Sequence, residues 1–372
     1  MRILRTLAAA ALVCLATGAG ASAGPAHHAR AGTTDPFKAV PVVIGLDQPV
    51  TFTFTPGGRI FFGEKATGQI NVVNPQNGNI HRFTTITHVV SDGEQGLLGL
   101  ALDPQYPSRP FVFAYATRNV AGGEKDQILR MKNVGGHAEN IHVIFSSETV
   151  SGHYHDGGHI SFGPDGFLYA VQGEAHHSAN AQDLGISAGK ILRMTETGAP
   201  APGNPGFADG RIFSFGHRNS FGFAFDPQTN WLWETENGPE CTDEINLVVK
   251  GGNYAWGPSE NCSDPKPGGT NQDGPAPRHL PKAFFADTIA PTGIVFCDAC
   301  GLGAGTNGKF LFGNCNSPGE IHRVGLTADR QDIASQTIVL HDGSCVYSME
   351  HGPHGGIYFS DSSGGIFKLA HR

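Results

Sequence analysis

The sequence predicts an all-β protein, and more specifically a six-bladed β-propeller. Of its 372 residues, 52 are Gly and 24 are Pro, and only 16% are charged, which gives many turn formers and enough apolar residues for a large core. After the N-terminus, no long stretch shows the 3.6-residue period of an amphipathic helix. The third observation is a repeated unit in which a Pro or Gly turn precedes a short apolar or aromatic run.

The repeated unit recurs at intervals of roughly 50 to 80 residues, a spacing typical of propeller blades. The units begin at Pro56, Pro107, Pro164, Pro227, Gly308 and Pro353. Most are followed, after a second turn, by another short apolar run: GQINVV, DQILRM, DEINLV, GEIHRV and GGIFKL. Each unit therefore predicts a pair of strands within one blade.

The N-terminal residues have the pattern of a secretory signal peptide. Arg2 and Arg5 precede an apolar run over residues 7–15, and Ala21-Ser22-Ala23 resembles an export cleavage site. The alternative is a lipoprotein anchored through Cys14, although Val13 is a poor residue to precede such a cysteine.

This pattern sets the expected domain organisation. We expect a signal peptide at 1–23, a flexible lead-in at 24–40 and the propeller at 41–372. The mature protein is expected to be secreted, either extracellular or periplasmic, without a transmembrane segment. A net charge of −8 and the lack of a basic run argue against nucleic-acid and anionic-membrane partners and leave small-molecule or acid-tolerant partners open.

Cysteine usage favours disulfides. Cys14 lies in the predicted leader, which leaves six of the seven cysteines for an oxidising compartment. We expect the pairs Cys241–Cys262, Cys297–Cys300 and Cys315–Cys345. The alternative is a metal site formed by Cys297 and Cys300 with Cys315.

Four polar segments stand where propeller loops would place a functional site at one mouth of the central channel. They begin at Asp92, His153, Gly216 and Glu236. In the second segment, His155 is the candidate general base, since its ordinary pKa lies near neutrality. Glu174 follows the apolar run FLYAV, where a carboxylate could orient that imidazole.

Each of these residues also has a simpler interpretation. His155 could be a structural hydrogen-bonding residue, or could join His153 and His159 in a metal cluster. Glu94, at the entry to an apolar strand, could be a solvated turn acid.

The third and fourth segments offer charge stabilisation and oxygen ligands. Arg218-Asn219 joins a permanently charged donor to a neutral amide, which suits binding of an oxyanion or carboxylate, although Arg218 could also be a surface residue stacked on Phe221. The Gly238-Pro239 turn exposes carbonyl oxygens near Glu236, Asp243 and Glu244. Such oxygens suit Ca²⁺, but acids beside Gly and Pro also occur in ordinary loops.

In this order, five motifs resemble those of the glucose/sorbosone dehydrogenase family, the soluble pyrroloquinoline quinone (PQQ) sugar dehydrogenases with a six-bladed propeller. The motifs are GEQGLLGLALDP, HDGGHISFGPDGFLYAVQGE, QDLGISAGKILRM, GHRNSFGFAFDP and NGPECTDEINLVVKGGNYAWG. The resemblance runs from about Gly45 to the C-terminus. It is specific because five spaced motifs coincide.

The resemblance implies a role for each matching residue. His155 falls on the catalytic base, Glu174 on an acid that supports it, Arg218 and Asn219 on contacts to the quinone oxygens, and Glu94 on a substrate or cofactor contact. Gly238 and Pro239 fall on carbonyls that hold the active-site Ca²⁺, and Glu244 with the Tyr254 carbonyl on a second, structural ion.

The C-terminal third departs from the family pattern. The family meets the carboxylates of PQQ with a Lys in the fifth blade and two Arg in the sixth. Here Asn316 or Ser317 replaces the Lys, and Cys345 and Tyr347 replace the arginines. Candidate substitutes for the missing cations are His322, His351, His354 and Lys309.

The favoured hypothesis is an exported PQQ- and Ca²⁺-dependent oxidoreductase that oxidises an aldose or related alcohol or aldehyde and passes electrons to an external acceptor. One alternative is a redox-neutral, cation-assisted lyase, isomerase or hydrolase on the same scaffold. The other is a non-catalytic extracellular binding propeller, because fold does not determine function.

Overall fold

The computed structural model describes residues 35–148, 152–239, 242–257, 274–316 and 318–372. These residues form 24 strands in six antiparallel sheets of four strands each, which confirms the predicted six-bladed propeller. A 3-10 turn at Ser178–Gln182 is the one helical element within the described ranges. None of the helical structure described is long and apolar enough to cross a membrane.

Blades 1 to 5 use four consecutive strands, running from the inner strand to the outer strand. Blade 1 contains β2 (Thr51–Phe54), β3 (Ile60–Gly63), β4 (Gln69–Val73) and β5 (Ile80–Thr85). Blade 2 contains β6 (Leu97–Leu102), β7 (Phe111–Val120), β8 (Gly123–Val134) and β9 (His137–Ser146). Blade 3 contains β10 (Ile160–Phe162), β11 (Leu168–Gln172), β12 (Lys190–Met194) and β13 (Ile212–Phe215).

The remaining blades follow the same plan. Blade 4 contains β14 (Ser220–Phe225), β15 (Leu232–Glu236), β16 (Asp243–Val248) and β17 (Ala283–Phe285). Blade 5 contains β18 (Pro291–Phe296), β19 (Phe310–Asn314), β20 (Glu320–Leu326) and β21 (Ile333–His341). Blade 6 contains β22 (Val346–His351), β23 (Ile357–Asp361), β24 (Gly365–His371) and, as its outer strand, β1 (Phe37–Ile44).

The ring closes through β1, which pairs antiparallel with β24 from Phe37 opposite His371 to Ile44 opposite Gly365. Residues 37–40 therefore belong to blade 6 and not to the lead-in expected at 24–40. The predicted signal peptide lies outside the described residues. Pairing with β1, the first strand of the described residues, gives blade 6 a complete four-stranded sheet.

The predicted apolar runs are the second and third strands of the blades. In β3, β11, β15 and β19 every residue is buried, because neighbouring sheets cover both faces. Apolar clusters fill the spaces between adjacent sheets, for example Phe113 and Leu192 between blades 2 and 3, and Trp233 and Phe310 between blades 4 and 5. This packing fixes the loops at the sheet ends.

Two of the three predicted disulfides are present: Cys297–Cys300, and Cys315–Cys345, which links blades 5 and 6. The alternative metal site of Cys297, Cys300 and Cys315 is therefore wrong, because these thiols are bonded in pairs. Cys241 and Cys262 lie outside the described residues.

Candidate functional site

The candidate site residues emerge at one end of the sheets. In an antiparallel four-stranded blade, the connection to the next blade and the turn between the second and third strands lie at the same end. Glu94, His155 and Arg218-Asn219 lie in connections between blades, and Glu174 and Gly238-Pro239 lie in turns between second and third strands. The topology thus places all of them at one end of the propeller, which we call the mouth.

At the mouth, His155 and Glu174 form a close, buried pair. Glu174 Oε1 lies 2.7 Å from His155 Nδ1, and the side chains are 0% and 7% exposed. The other oxygen of Glu174 accepts a 3.0 Å hydrogen bond from the backbone N–H of His177. Burial raises the pKa of Glu174 to about 7, although the positive charge of Arg218 opposes the shift.

The backbone that carries this pair is strained. His153, His155, Ala175 and His176 have φ values of 71°, 63°, 58° and 60°, in the left-handed region that side chains disfavour. A Cβ atom at Gly173 would lie 2.2 Å from the carbonyl oxygen of His155, so the two loops can approach only because residue 173 is Gly. Such strain persists where the surrounding structure fixes the backbone, and it is common at functional sites.

Glu94 joins three connections between blades. Its Oε2 atom accepts 2.8 Å and 3.0 Å hydrogen bonds from the His155 backbone N–H and from Asn219 Nδ2. The Arg218 carbonyl accepts a 2.9 Å hydrogen bond from the Glu174 N–H. The structure therefore brings together His155, Glu174, Arg218, Asn219 and Glu94, and Glu94 is not a solvated turn acid.

Arg218 reaches the Gly238 turn. Its Nη1 atom donates to the carbonyls of Asn237 at 3.0 Å and Gly238 at 2.7 Å, and the guanidinium lies 5.3 Å from the ring centre of Trp256. It does not stack on Phe221 as a surface residue would. Asp243 holds the turn by accepting the Gly238 N–H at 2.9 Å, and burial raises the pKa of Asp243 to about 6.

A second buried cluster, which sequence reasoning missed, lies behind Arg218. His217 Nδ1 lies 2.9 Å from Glu234 Oε1 and 3.1 Å from Glu236 Oε2, and these three residues could hold a metal ion. Burial alone would lower the pKa of His217, but the two carboxylates raise it to about 10. Glu236 also accepts the Arg218 N–H, so the cluster supports the loop that carries Arg218. The GHRN and ETE patterns are the only sequence signal for it.

Glu244 and Tyr254, the residues predicted to bind a structural ion, lie beside this cluster. The Tyr254 ring stacks on His217 with ring centres 4.7 Å apart. Asn246 Nδ2 donates to Glu244 Oε2 and Glu234 Oε1, each at 3.3 Å. Glu244 and Tyr254 therefore lie in a carboxylate-rich region of blade 4, where oxygen ligands for a cation are available.

The alternative cluster of His153, His155 and His159 does not form. His159 packs edge-on against Phe223 at 4.7 Å between ring centres, and burial lowers its pKa to about 4. His153 is half-exposed and lies 3.4 Å from Asp92. Within the described residues these histidines do not converge as three ligands.

Around Arg218 and the Gly238 turn, the polar groups are of the types that would bind a quinone and a cation. Arg218 Nε and Asn219 Oδ1 are buried and lack a hydrogen-bond partner, so both are available to polar atoms of a ligand. The Gly238 carbonyl accepts Arg218 Nη1, and a backbone carbonyl oxygen is a ligand type that Ca²⁺ prefers.

The opposite side of the mouth does not supply the expected cations. Cys345 is in a disulfide, and Tyr347 lies close to Asp361. Burial and the neighbouring Asp361 raise the pKa of Asp342 to about 8. Asn316 donates to the Thr288 carbonyl, and Ser317 lies outside the described residues.

The proposed substitutes do not fill this gap. Lys309 and His354 lie in turns at the opposite end of the sheets, and His351 is the last residue of β22, also at that end. His322 stacks on Phe312, and burial lowers its pKa to about 4.

The chain matches the sequence profile of the glucose/sorbosone dehydrogenase family over residues 46–368, and it belongs to that family. It is 30% identical over 280 residues to quinoprotein glucose dehydrogenase B of Acinetobacter calcoaceticus. That match covers 67% of this chain and 58% of the relative, so it spans less than two thirds of the relative's length.

Two other relatives match over most of their length. Aldose sugar dehydrogenase YliI of Escherichia coli is 26% identical over 347 residues, which are 88% of this chain and 91% of that protein. The PQQ-bound aldose sugar dehydrogenase of Streptomyces coelicolor aligns with a TM-score of 0.74 at 28% identity, covering 91% of this chain and 100% of that one.

Proposed function

We propose that this protein is an exported, PQQ- and Ca²⁺-dependent oxidoreductase that oxidises an aldose or a related alcohol or aldehyde. The observation that carries the proposal is the 2.7 Å contact between His155 Nδ1 and Glu174 Oε1, held in a strained loop beside Arg218. Family membership and the PQQ-bound relative from Streptomyces coelicolor support the choice of cofactor.

In this mechanism His155 is the general base. Because Nδ1 is engaged by Glu174, the nitrogen that takes the proton of the substrate hydroxyl is Nε2. The Glu174 carboxylate orients the ring and stabilises the imidazolium that forms. The hydroxyl at the reducing carbon of the aldose loses its O–H proton to His155, and the same carbon loses its hydrogen as hydride. The hydroxyl thereby becomes a carbonyl, and the sugar ring becomes a lactone.

The cofactor would be held at its reactive end by Arg218 and Asn219, with Ca²⁺ on the carbonyls of Gly238 and Pro239. When bound, PQQ would supply the ortho-quinone that accepts the hydride, and an external acceptor would later remove the two electrons. Arg218 contributes a fixed positive charge where negative charge develops on oxygen. Glu244 and the Tyr254 carbonyl would hold a second, structural Ca²⁺.

The test is reconstitution of the purified protein with PQQ and Ca²⁺, followed by a dye-reduction assay over a panel of aldoses. Sugar-dependent dye reduction is expected in the wild type and should be lost in His155→Asn, while His137→Asn on the exposed strand β9 serves as the control. Absence of PQQ binding at micromolar concentration would overturn the proposal. Turnover that needs a metal but no electron acceptor would favour a redox-neutral reaction instead.

A further inference from the structure

We propose that Tyr154 and His176 form an aromatic rim that binds one C–H face of the substrate's pyranose ring next to His155. This inference rests on the proposed function, because it concerns the substrate of the same site. It assigns a binding role to two residues for which the sequence pattern predicts none.

The rings of His176 and Tyr154 lie next to the His155 imidazole, on the side toward solvent. The ring centres of His155 and His176 lie 5.1 Å apart with an interplanar angle of 68°, and those of His176 and Tyr154 lie 5.9 Å apart at 71°. His155 is 6% exposed, whereas Tyr154 is 38% exposed. The three rings therefore run from the buried base to the solvent at the mouth.

The loops around the exposed rings are held in place. Tyr154 lies between His153 and His155, both with positive φ, and His176 itself has a φ of 60°. A Cβ atom at Gly93 would lie 3.3 Å from Tyr154 Cε1, so the ring packs over backbone that carries no side chain. The Gly93 carbonyl in turn accepts a 2.9 Å hydrogen bond from Lys65 Nζ.

An exposed aromatic ring on a preorganised loop suits ligand binding. The ring and its loop lose little conformational freedom when a ligand packs against them. Most of the contact free energy is therefore available for affinity. The face of a pyranose ring that carries C–H groups is apolar and flat, while its hydroxyls project at the edge. Packing this face on Tyr154 would leave the edge available to His155.

The test compares Tyr154→Ala with Tyr154→Phe, which keeps the ring. The matched control is Trp231→Ala, because Trp231 is 36% exposed but lies in the β14–β15 turn at the opposite end of the sheets. Sugar binding is measured directly by calorimetry or ligand-detected NMR on the protein without cofactor, and KM and kcat are measured after reconstitution.

Tyr154→Ala should raise the dissociation constant and KM for pyranoses about tenfold, with a smaller effect on kcat, because it removes an aromatic contact to the substrate. Tyr154→Phe should recover most of the affinity, and Trp231→Ala should match the wild type. Glyceraldehyde has no ring to pack on the rim, so its KM should change little in Tyr154→Ala.

Direct binding separates this inference from the proposed function. If the wild type shows no redox turnover but Tyr154→Ala weakens sugar binding, the rim stands and the oxidoreductase proposal fails. If the wild type turns over and Tyr154→Ala binds sugars normally, the rim alone is wrong. The rim would also be wrong if Tyr154→Ala raised KM equally for pyranoses and glyceraldehyde, or if the wild type bound no sugar.

Discussion

Glu174 Oε1 lies 2.7 Å from His155 Nδ1, although the two residues come from different loops of the propeller mouth. The contact joins a carboxylate with a raised pKa to the imidazole it can orient. Carboxylates in this arrangement fix the ring of a general base and select the nitrogen that reacts.

Glu174 should make stability depend on pH. Its folded pKa of about 7 is above the ordinary value of 4.5, so the folded state retains a proton that the unfolded state loses. The stabilising contribution is fully present below the unfolded pKa and is lost as pH rises through the folded value. Across the pH range from below 4.5 to above 7, this loss of folding free energy is on the order of 3 kcal/mol.

The measurement is the free energy of unfolding in urea, at several pH values from 4.5 to 8, for the wild type and Glu174→Gln. The difference between the two proteins reports the ionisation of the Glu174 carboxyl, because both retain the charge of Arg218 nearby. The variant should show the smaller decline with pH, and Glu139→Gln on the exposed strand β9 should follow the wild type. Parallel curves for wild type and Glu174→Gln would count against a buried, raised carboxyl.

Glu94 should contribute mainly through its acceptor oxygen. Glu94→Ala leaves the His155 N–H and the Asn219 amide without their partner, which should cost about 1–3 kcal/mol of folding free energy. Glu94→Gln keeps one acceptor oxygen and should retain more stability. Thermal and urea unfolding of both variants check this, and equal destabilisation by Ala and Gln would mean that the charge matters and not the hydrogen bonds.

Lys190 should help to position the loop that carries Glu174. It is fully buried, and its Nζ donates to the carbonyls of Asn180 at 2.8 Å and Ala188 at 2.6 Å. Asn180 Nδ2 then donates to the Glu174 carbonyl at 2.9 Å. Burial lowers the pKa of Lys190 to about 7, so its ammonium is held by these contacts against the cost of desolvation.

Lys190→Met should therefore remove the donor to the buried Ala188 carbonyl and one of the two donors to the Asn180 carbonyl, which also accepts the Asp183 N–H, and lower the free energy of unfolding by about 1–3 kcal/mol. Hydrogen exchange of the backbone amides over residues 174–182 should speed up more than elsewhere in blade 3. Lys132→Met, on an exposed part of β8, is the matched control. A Lys190→Met protein as stable as this control would show that the contacts are not important.

A positive charge on blade 6 should strengthen PQQ binding. Tyr347 stands where the family resemblance implies an arginine, and the neighbouring Asp361, which interacts with Asp342, disfavours an anion there. A charge-assisted hydrogen bond contributes about 1.5–3 kcal/mol, so Tyr347→Arg should lower the dissociation constant of PQQ at least tenfold.

Titration of PQQ by absorbance or fluorescence measures the effect of this change, with Thr337→Arg on the exposed outer strand β21 as the control for added charge. Equal gains in both variants would reflect net charge alone. No gain in Tyr347→Arg would mean that the carboxylates of PQQ do not reach blade 6.

The sequence predicted the parts of the fold that leave a local pattern. Second and third strands such as β11 and β16 read as apolar runs because neighbouring blades bury them. Residues 37–40 of the closing strand β1 fall in the predicted lead-in, because the partner strand β24 lies at the other end of the chain and no local signal reports the pairing.

The site shows the same division between local pattern and tertiary packing. His155, Glu174 and Arg218 each stand in a motif with turn residues, which the sequence displays, whereas the pairing of His217 with Glu234 depends on how β14 and β15 align. The φ values that set the Tyr154 loop likewise follow from tertiary packing and have no counterpart in the sequence pattern.

The most direct test of the central claim is reduction of bound PQQ by sugar in a single turnover, comparing the wild type with His155→Asn. Both proteins should bind PQQ and Ca²⁺ with similar affinity, because His155 is assigned to the substrate proton and not to the cofactor. The rate of reduction should fall about 10²–10⁴-fold in the variant, the range expected for loss of a general base. Reduction at the wild-type rate in His155→Asn would contradict the account.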